Sequence, residues 1–333
     1  MLYPVMSANG QVVKSNVRGC RYEGEDPMRR ESSSTVASGS SASGQTGSSW
    51  KLCDPIAWDE ACMDGYCAFV DFTRQKELAA GAIYRKAVSH RARGRELFRI
   101  CDIGCGSGDI IISLLRRIRA QSCLEAQVVL VDPSARMLDI AGNRVTRTLA
   151  CDLECIQSTA EQAVQSIGDR AKYDLVLCVH ALYYIKNPKA VIQGMLDAVA
   201  PGGWLGIVVN SADSDIKRVR RAYYGESGRD DFAIAELEVL EMAAEVGVQA
   251  DVEYLASRLA FPVDELEGLT LSAIDERRPQ ALSLRLTRFF VAHSQWPGPS
   301  LEALERVKEF YLSRRRGDRI VLDLREACLW CRS

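Results

Sequence analysis

Between residues 98 and 209, four short apolar runs and one weaker strand alternate with four amphipathic segments. The runs are 98–103, 127–131, 173–179 and 204–209, with the weaker strand at 151–157; the helical segments are 110–118, 135–146, 160–167 and 188–199. Few folds accept such a pattern. A strand that follows a helix and pairs with the strand before it runs parallel to it, so the helix must cross over one face of the sheet. Parallel sheets are covered on both faces, which is why their strands read as continuous apolar runs. Right-handed crossovers then leave a doubly wound topology. The pattern predicts an α/β fold with a mostly parallel sheet.

The flanks read differently. Residues 58–93 look helical, with Tyr66, Phe69, Val70, Leu78 and Ile83 on an apolar face. They precede the first strand and could lid a pocket. Past Asn210 the alternation breaks. Helices are expected near 213–224, 231–246, 280–293 and 300–313, and extended segments near 250–261, 319–324 and 327–331, with Arg325 and Glu326 as a tight turn between the last two. Residues 32–49 are almost all Ser, Gly, Thr and Ala, so 1–49 reads as a disordered tail that can bury little. One folded domain over 50–333 follows: helices over 50–97, a core over 98–210, and further helices and strands over 211–333.

Charge narrows the partners. With 42 basic and 44 acidic side chains the net charge is -2, which excludes the basic excess of a nucleic-acid binder. The Arg314–Arg316 run suits a solvated helix end. No apolar stretch reaches membrane-span length, and the first residues lack the apolar core of a secretory signal. Lys14, Arg18, Arg21, Arg29 and Arg30 would suit a transit peptide, but Glu23, Glu25, Asp26 and Glu31 nearly balance them. A monomer in the cytosol is expected. The 12 cysteines are scattered, and Cys328-x-x-Cys331 lacks a second pair at zinc spacing. It reads as two cysteines on one face of a terminal element. No metal site is expected.

The chemistry concentrates where strands end. In Ile100-Cys101-Asp102-Ile103-Gly104-Cys105-Gly106-Ser107-Gly108-Asp109 a buried strand runs into a glycine turn and a helix. The glycines let backbone approach a ligand, and helix-start amides face it. Ligands of open α/β sheets bind beyond the carboxyl ends of the strands. A dinucleotide site expects G-x-G-x-x-G; here the spacing is G-x-G-x-G, with Asp102 just upstream. A carboxylate there would repel a pyrophosphate and attract a cationic amine. S-adenosylmethionine (SAM) carries an amino-acid tail and no phosphate, so it fits better. Asp132, closing the second strand in Val131-Asp132-Pro133-Ser134, can accept both ribose hydroxyls; a turn and helix cap is the alternative. Gln157-Ser158-Thr159 could contact adenine, or Ser158 or Thr159 could simply cap a helix. After the fourth strand, Val179-His180-Ala181-Leu182-Tyr183-Tyr184 stands at the mouth of the site, and Pro201-Gly202-Gly203 turns into the fifth strand.

These five segments, in this order over roughly 98–210, resemble class I SAM-dependent methyltransferases, whose seven-stranded sheet the resemblance implies. More narrowly, 180–187, 205–211 and Asp132-Pro133-Ser134-Ala135 are similar to the histamine N-methyltransferase-like group, which the two C-terminal extended segments match in position. That resemblance implies SAM contacts at Gly104, Asp132, Met137, Thr159 and Val179, joined by Asp102, Cys105, Gly106 and Gly108 of the glycine turn. It places a substrate-packing aromatic at Tyr184. His180 stands where histamine methyltransferases carry Gln; their acidic amine-binding residue falls near Gln75, and a C-terminal amide near Asp323. These departures set the acceptor apart from histamine.

The expected catalytic set is therefore His180, as proton acceptor or orienting group, Tyr184, as a pocket wall, and Asp323, as an amine anchor. Each has a plainer reading: a packed histidine, a core aromatic, a solvent-facing strand residue. Trp50, Trp58, Tyr66 and Phe69 read as core or as a cage for a cationic amine, and His90 and His293 take no role. The leading expectation is methylation of a small-molecule amine. O- or S-methylation, a protein or peptide acceptor, and a SAM-binding protein without turnover remain alternatives, with a nicotinamide dehydrogenase disfavoured by the glycine spacing.

Overall fold

The structure is a computed structural model that describes residues 60–90, 97–122, 124–148, 151–170, 172–225, 234–274, 280–291 and 300–333. The tail over 1–49, Trp50, Trp58 and His293 lie outside the described residues.

The strands are β1 (Leu97–Ile103), β2 (Glu125–Asp132), β3 (Asp152–Gln157), β4 (Tyr173–Val179), β5 (Val199–Asn210), β6 (Ala250–Pro262), β7 (Arg315–Arg316) and β8 (Arg319–Arg332). The helices are α1 (Glu60–Phe72), α2 (Gln75–Ile83), α3 (Asp109–Gln121), α4 (Ala135–Thr148), α5 (Ala160–Arg170), α6 (Pro188–Asp197), α7 (Asp215–Tyr224), α8 (Glu236–Glu245), α9 (Leu271–Ile274), α10 (Leu282–Val291) and α11 (Leu301–Ser313). One sheet runs β3-β2-β1-β4-β5-β8-β6, with the two-residue β7 hairpinned onto β8. The first five strands in that order pair in parallel, and β8 enters antiparallel to both β5 and β6. This is the mostly parallel α/β sheet that the strand–helix alternation predicts. None of the described helices is long and apolar enough to cross a membrane.

Alternate strand residues feed two cores. Phe98, Ile100, Val128, Leu130, Leu175 and Leu177 pack under α2, α3 and α4. Cys101, Ile103, Val129, Val131, Val176 and Cys178 pack under α5, α6 and α8. Here the Cys328/Cys331 expectation fails: the two fall on opposite sheet faces, because an odd spacing in a strand reverses the face. Both are buried free thiols.

The C-terminal strand also departs from expectation. There is no turn at Arg325 and Glu326; β8 is continuous for 14 residues, and its reversal lies upstream, around Gly317 (φ +66°) between β7 and β8. Glu326 pairs with Asn210, the last residue of β5. Residues 319–325 therefore project past the carboxyl end of β5, paired with β6 and, at Arg319 and Ile320, with the short β7. A third core gathers on this overhang: Ile320, Leu322 and Leu324 with Leu259 and Phe261, covered by α1, α7, α10 and α11. The overhang and its helices form a wall above the carboxyl ends of the parallel strands, where ligands of such sheets bind.

Candidate functional site

A cavity of about 750 Å³ opens at those strand ends. Its floor is the glycine turn. Gly104, Gly106 and Gly108 have φ of +72°, +52° and +78°, a region that side chains with a Cβ rarely enter. A Cβ at Gly104 would stand 2.3 Å from the Ala181 Cβ, so this glycine lets β1 and the turn after β4 approach each other. Gly106 has nothing within 4 Å of such a Cβ; its face is open to the cavity that it lines. Gly108 does not line the cavity. It begins α3 and packs on Ala141 of α4, so its role is to turn the chain.

Asp132 explains how the turn keeps its shape. Its carboxylate accepts hydrogen bonds from the Gly106 and Ser134 amides, each at 2.9 Å. It also lines the cavity with lone pairs to spare, so the turn-cap and ligand readings hold together. Asp102 is buried, lines the same cavity, and its Oδ1 has no hydrogen-bond partner among the described residues. Burial, then the Asp132 charge, pushes its pKa up to about 7, against the pull of Lys76. Burial raises Asp132 as well, opposed by its two amide bonds. Two buried carboxylates facing one hollow suit a ligand with a cationic amine and a diol. Cys105, Met137, Thr159 and Val179 also line the cavity. Thr159 both lines it and accepts from the Gln162 amide at 3.4 Å, near the start of α5.

At the mouth, Tyr66 of α1 donates to Asp109 at 2.7 Å, as does Ser107 at 2.6 Å, and Arg144 pairs with the same carboxylate at 2.7 Å. Burial pushes Asp109 up, but these partners win and hold it below its ordinary value. The bonds fasten α1 to the glycine turn. α1 is fastened on its other side by Arg285 of α10, which grips Asp64 at 2.7 Å.

His180 follows β4 with φ +53°, the one non-glycine residue in that region among the described residues. Its amide donates to Val208 at 2.8 Å, and the strained backbone turns the ring into the cavity. Nε2 lies 2.5 Å from Oε1 of Glu326, which is 1% exposed. An ionised carboxylate can only accept, so the proton sits on Nε2 and Nδ1 keeps its lone pair. Burial and then Lys76 lower the His180 pKa, opposed by Glu326, which favours a neutral ring at neutral pH. Nδ1 lies 3.4 Å from the Tyr183 hydroxyl, which in turn accepts from the Asn210 amide.

Tyr184 lines the cavity as expected, but so does Tyr183. The three-residue 3-10 turn 182–184 buries Leu182 instead and leaves both tyrosines on the open side. Asp323 is a correction. It is exposed on β8, pairs with Arg258 at 3.1 Å and Arg316 at 3.3 Å, and does not line the cavity. Position along the chain suggested it, but a single-residue step from Leu322, which pairs with Leu259 in the buried core, turns its side chain to the opposite face. Gln75 does line the cavity, as do Tyr66 and Phe69. Reasoning from sequence missed Lys76, which looks like a solvated helix residue, and Glu326, which looks like a turn; both are at the site. His90 is exposed.

A ubiquinone biosynthesis O-methyltransferase of Shewanella pealeana is 32% identical over 125 residues, covering 38% of this chain and 46% of that protein. A bifunctional biotin biosynthesis protein of Teredinibacter turnerae is 25% identical over 237 residues, 65% of this chain and 39% of its own length. The chain thus spans under half the length of these curated relatives. Among solved structures, the YcgJ protein of Bacillus subtilis is 13% identical, with a TM-score of 0.47 over 77% of this chain and 98% of that one. A plantazolicin methyltransferase in complex with SAH is 10% identical, with a TM-score of 0.47 over 84% and 92%. The family model described as a methyltransferase domain matches residues 66–239, just over half of the 333. That span takes in Tyr66, the glycine turn, Asp132 and His180, and on this match the chain belongs to the methyltransferase domain family.

Proposed function

We propose that this protein transfers the methyl group of SAM to a hydroxyl oxygen of a small molecule. The observation that carries the reading is one cavity that joins the Asp102–Asp132 cradle to the His180–Glu326 pair. The residues fit the cofactor: Asp102 has an orphaned buried oxygen for its amino group, Asp132 a carboxylate for its ribose, and Gly106 an open face. Met137, Thr159, Val179 and Cys105 would surround the rest. Bound SAM supplies an electrophilic methyl on a sulfonium. The chain's own task is to align the acceptor, exclude water and take its proton. Nδ1 of His180 would receive that proton, directly or through the Tyr183 hydroxyl, while Glu326 steadies the resulting imidazolium. Tyr184 would pack against the acceptor. Helices before β1 serve in this reading as a lid, and segments after residue 210 as the acceptor wall.

The narrower likeness to the histamine N-methyltransferase-like group favours an amine instead. The acceptor end supports oxygen: Gln75 is neutral, Asp323 points away, and Lys76 stands among the lining residues. The test is incubation with labelled SAM and a panel of phenols, alcohols, amines and thiols, in wild type and His180 variants. Label should pass to a hydroxyl. His180→Ala should lower kcat by about 10²–10⁴-fold with little change in SAM affinity, and His180→Gln should not restore it. Full turnover in both variants would make His180 structural, and label on amines alone would return the reading to nitrogen.

A further inference from the structure

Two adjacent side chains at the acceptor end have no task in methyl transfer as described above. Gln75 and Lys76 open α2. Gln75 is 1% exposed and lines the cavity, yet its Nε2 has no hydrogen-bond partner among the described residues. A buried amide left unpaired is destabilising, and native proteins rarely keep one without a use. Lys76 lines the same wall. Its ammonium lies 5.8 Å from the Tyr66 ring centroid and makes no hydrogen bond or ion pair with any described residue.

The charges around Lys76 give this pair a direction. Burial lowers the Lys76 pKa, and Glu326, then Asp109 and Asp102, oppose it through space, but each has its own work. Asp109 is held by Ser107, Tyr66 and Arg144, and Glu326 by His180. Asp102, in the reading above, receives the cofactor's amino group. The described carboxylates that line the cavity, Asp102, Asp109, Asp132 and Glu161, all sit on the cofactor side, at the ends of β1 and β2 or the starts of α3 and α5. Lys76 is thus left as a cation facing an acceptor space that already borders a sulfonium. An ammonium there would be repelled from two sides. A carboxylate would meet an ammonium donor and an amide donor together, the charge-assisted pairing that such groups favour.

We propose that Gln75 and Lys76 form an anion-anchoring subsite, and that the acceptor is a hydroxy acid: its carboxylate is held by this pair while its hydroxyl faces His180. The inference rests on the methyl-transfer reading and adds the acceptor's charge to it.

Isothermal titration of the protein saturated with S-adenosylhomocysteine tests it with three probes that share one phenol ring: 4-hydroxyphenylacetate, its methyl ester, and tyramine. The acid should bind about tenfold or more tightly than the ester, the range of one charge-assisted hydrogen bond, and tyramine should bind most weakly. Lys76→Met should abolish the acid's advantage, Lys76→Arg should keep it, and Gln75→Leu should weaken acid binding severalfold. At about pH 8.5, above the titration of Asp102 that Lys76 holds down, S-adenosylhomocysteine affinity should stay within about threefold of wild type in every variant, and a larger loss in Lys76→Met would give the ammonium to the cofactor's own carboxylate and overturn the proposal. Equal or tighter binding of the ester or tyramine, no binding by any of the three, or an acid preference that survives Lys76→Met would overturn the proposal. Wild-type protein that binds neither SAM nor S-adenosylhomocysteine would overturn the methyl-transfer reading beneath it, a result separable from the others.

Discussion

Asp102 and Asp132 face one cavity but respond differently to their surroundings. Asp132 is tied down by two amides, so Asp132→Ala loosens the glycine turn and, in the proposed reading, also removes a ribose partner. SAM affinity should fall by roughly 10–150-fold, the cost of a charge-assisted hydrogen bond. Asp102 has no such ties at Oδ1, and burial lifts its pKa from 3.8 to about 7. Between those values the folded, cofactor-free chain holds a proton that the unfolded chain has released. Asp102 therefore lowers stability as pH rises through that window. Cofactor binding runs the opposite way, because the cationic amine needs the ionised carboxylate. SAM affinity should climb by up to about tenfold per pH unit below 7 and level off above it. Titrations from pH 5.5 to 8.5 check this: Asp102→Asn should flatten the profile, and an unchanged pH dependence in that variant would remove Asp102 from the cofactor site.

The strand–turn–helix unit of β1 and α3 predicts a contrast between neighbouring glycines. At Gly104 an added methyl meets Ala181 and a left-handed φ together, so Gly104→Ala should destabilise the fold by about 2–4 kcal/mol. At Gly106 the methyl enters open cavity. Gly106→Ala should cost about 1 kcal/mol of stability, yet weaken SAM binding much more. Thermal melts beside SAM titrations separate the two; equal melting losses would refute the contrast. The parallel core was legible because β1, β2, β4 and β5 carry apolar runs that end in a glycine or a polar side chain, whereas β3, with Asp152 and Glu154, reads as a weaker strand. β8 was not. Its alternation over Ile320, Leu322 and Leu324 continues into a buried carboxylate. A charge inside an apolar strand reads as a turn unless its partner is known, and that partner is 146 residues away. Lys76 was hidden for a similar reason: on one helix it is a charged residue, and only the packing of α2 on α3, β6 and β8 brings it to the cavity.

For the whole molecule, a cofactor cradle built from three strand ends binds the folded chain alone. S-adenosylhomocysteine at a hundred times its Kd should stabilise the protein by about 2.7 kcal/mol, raising Tm by roughly 4–6 °C for a domain of this size. NAD at the same concentration should leave Tm unchanged. A shift with NAD and none with S-adenosylhomocysteine would favour a dinucleotide site. The sheet order has a further consequence for the growing chain. The strands of the cradle are contiguous in sequence, whereas β8 must slide between β5 and β6, both made earlier. At about 5–20 residues per second, Glu326 leaves the ribosome roughly 7–30 s after His180. A nascent chain can thus shape its strand-end cavity well before its histidine has a carboxylate to lean on, so in the proposed reading recognition of the methyl donor precedes competence for chemistry in the life of each molecule.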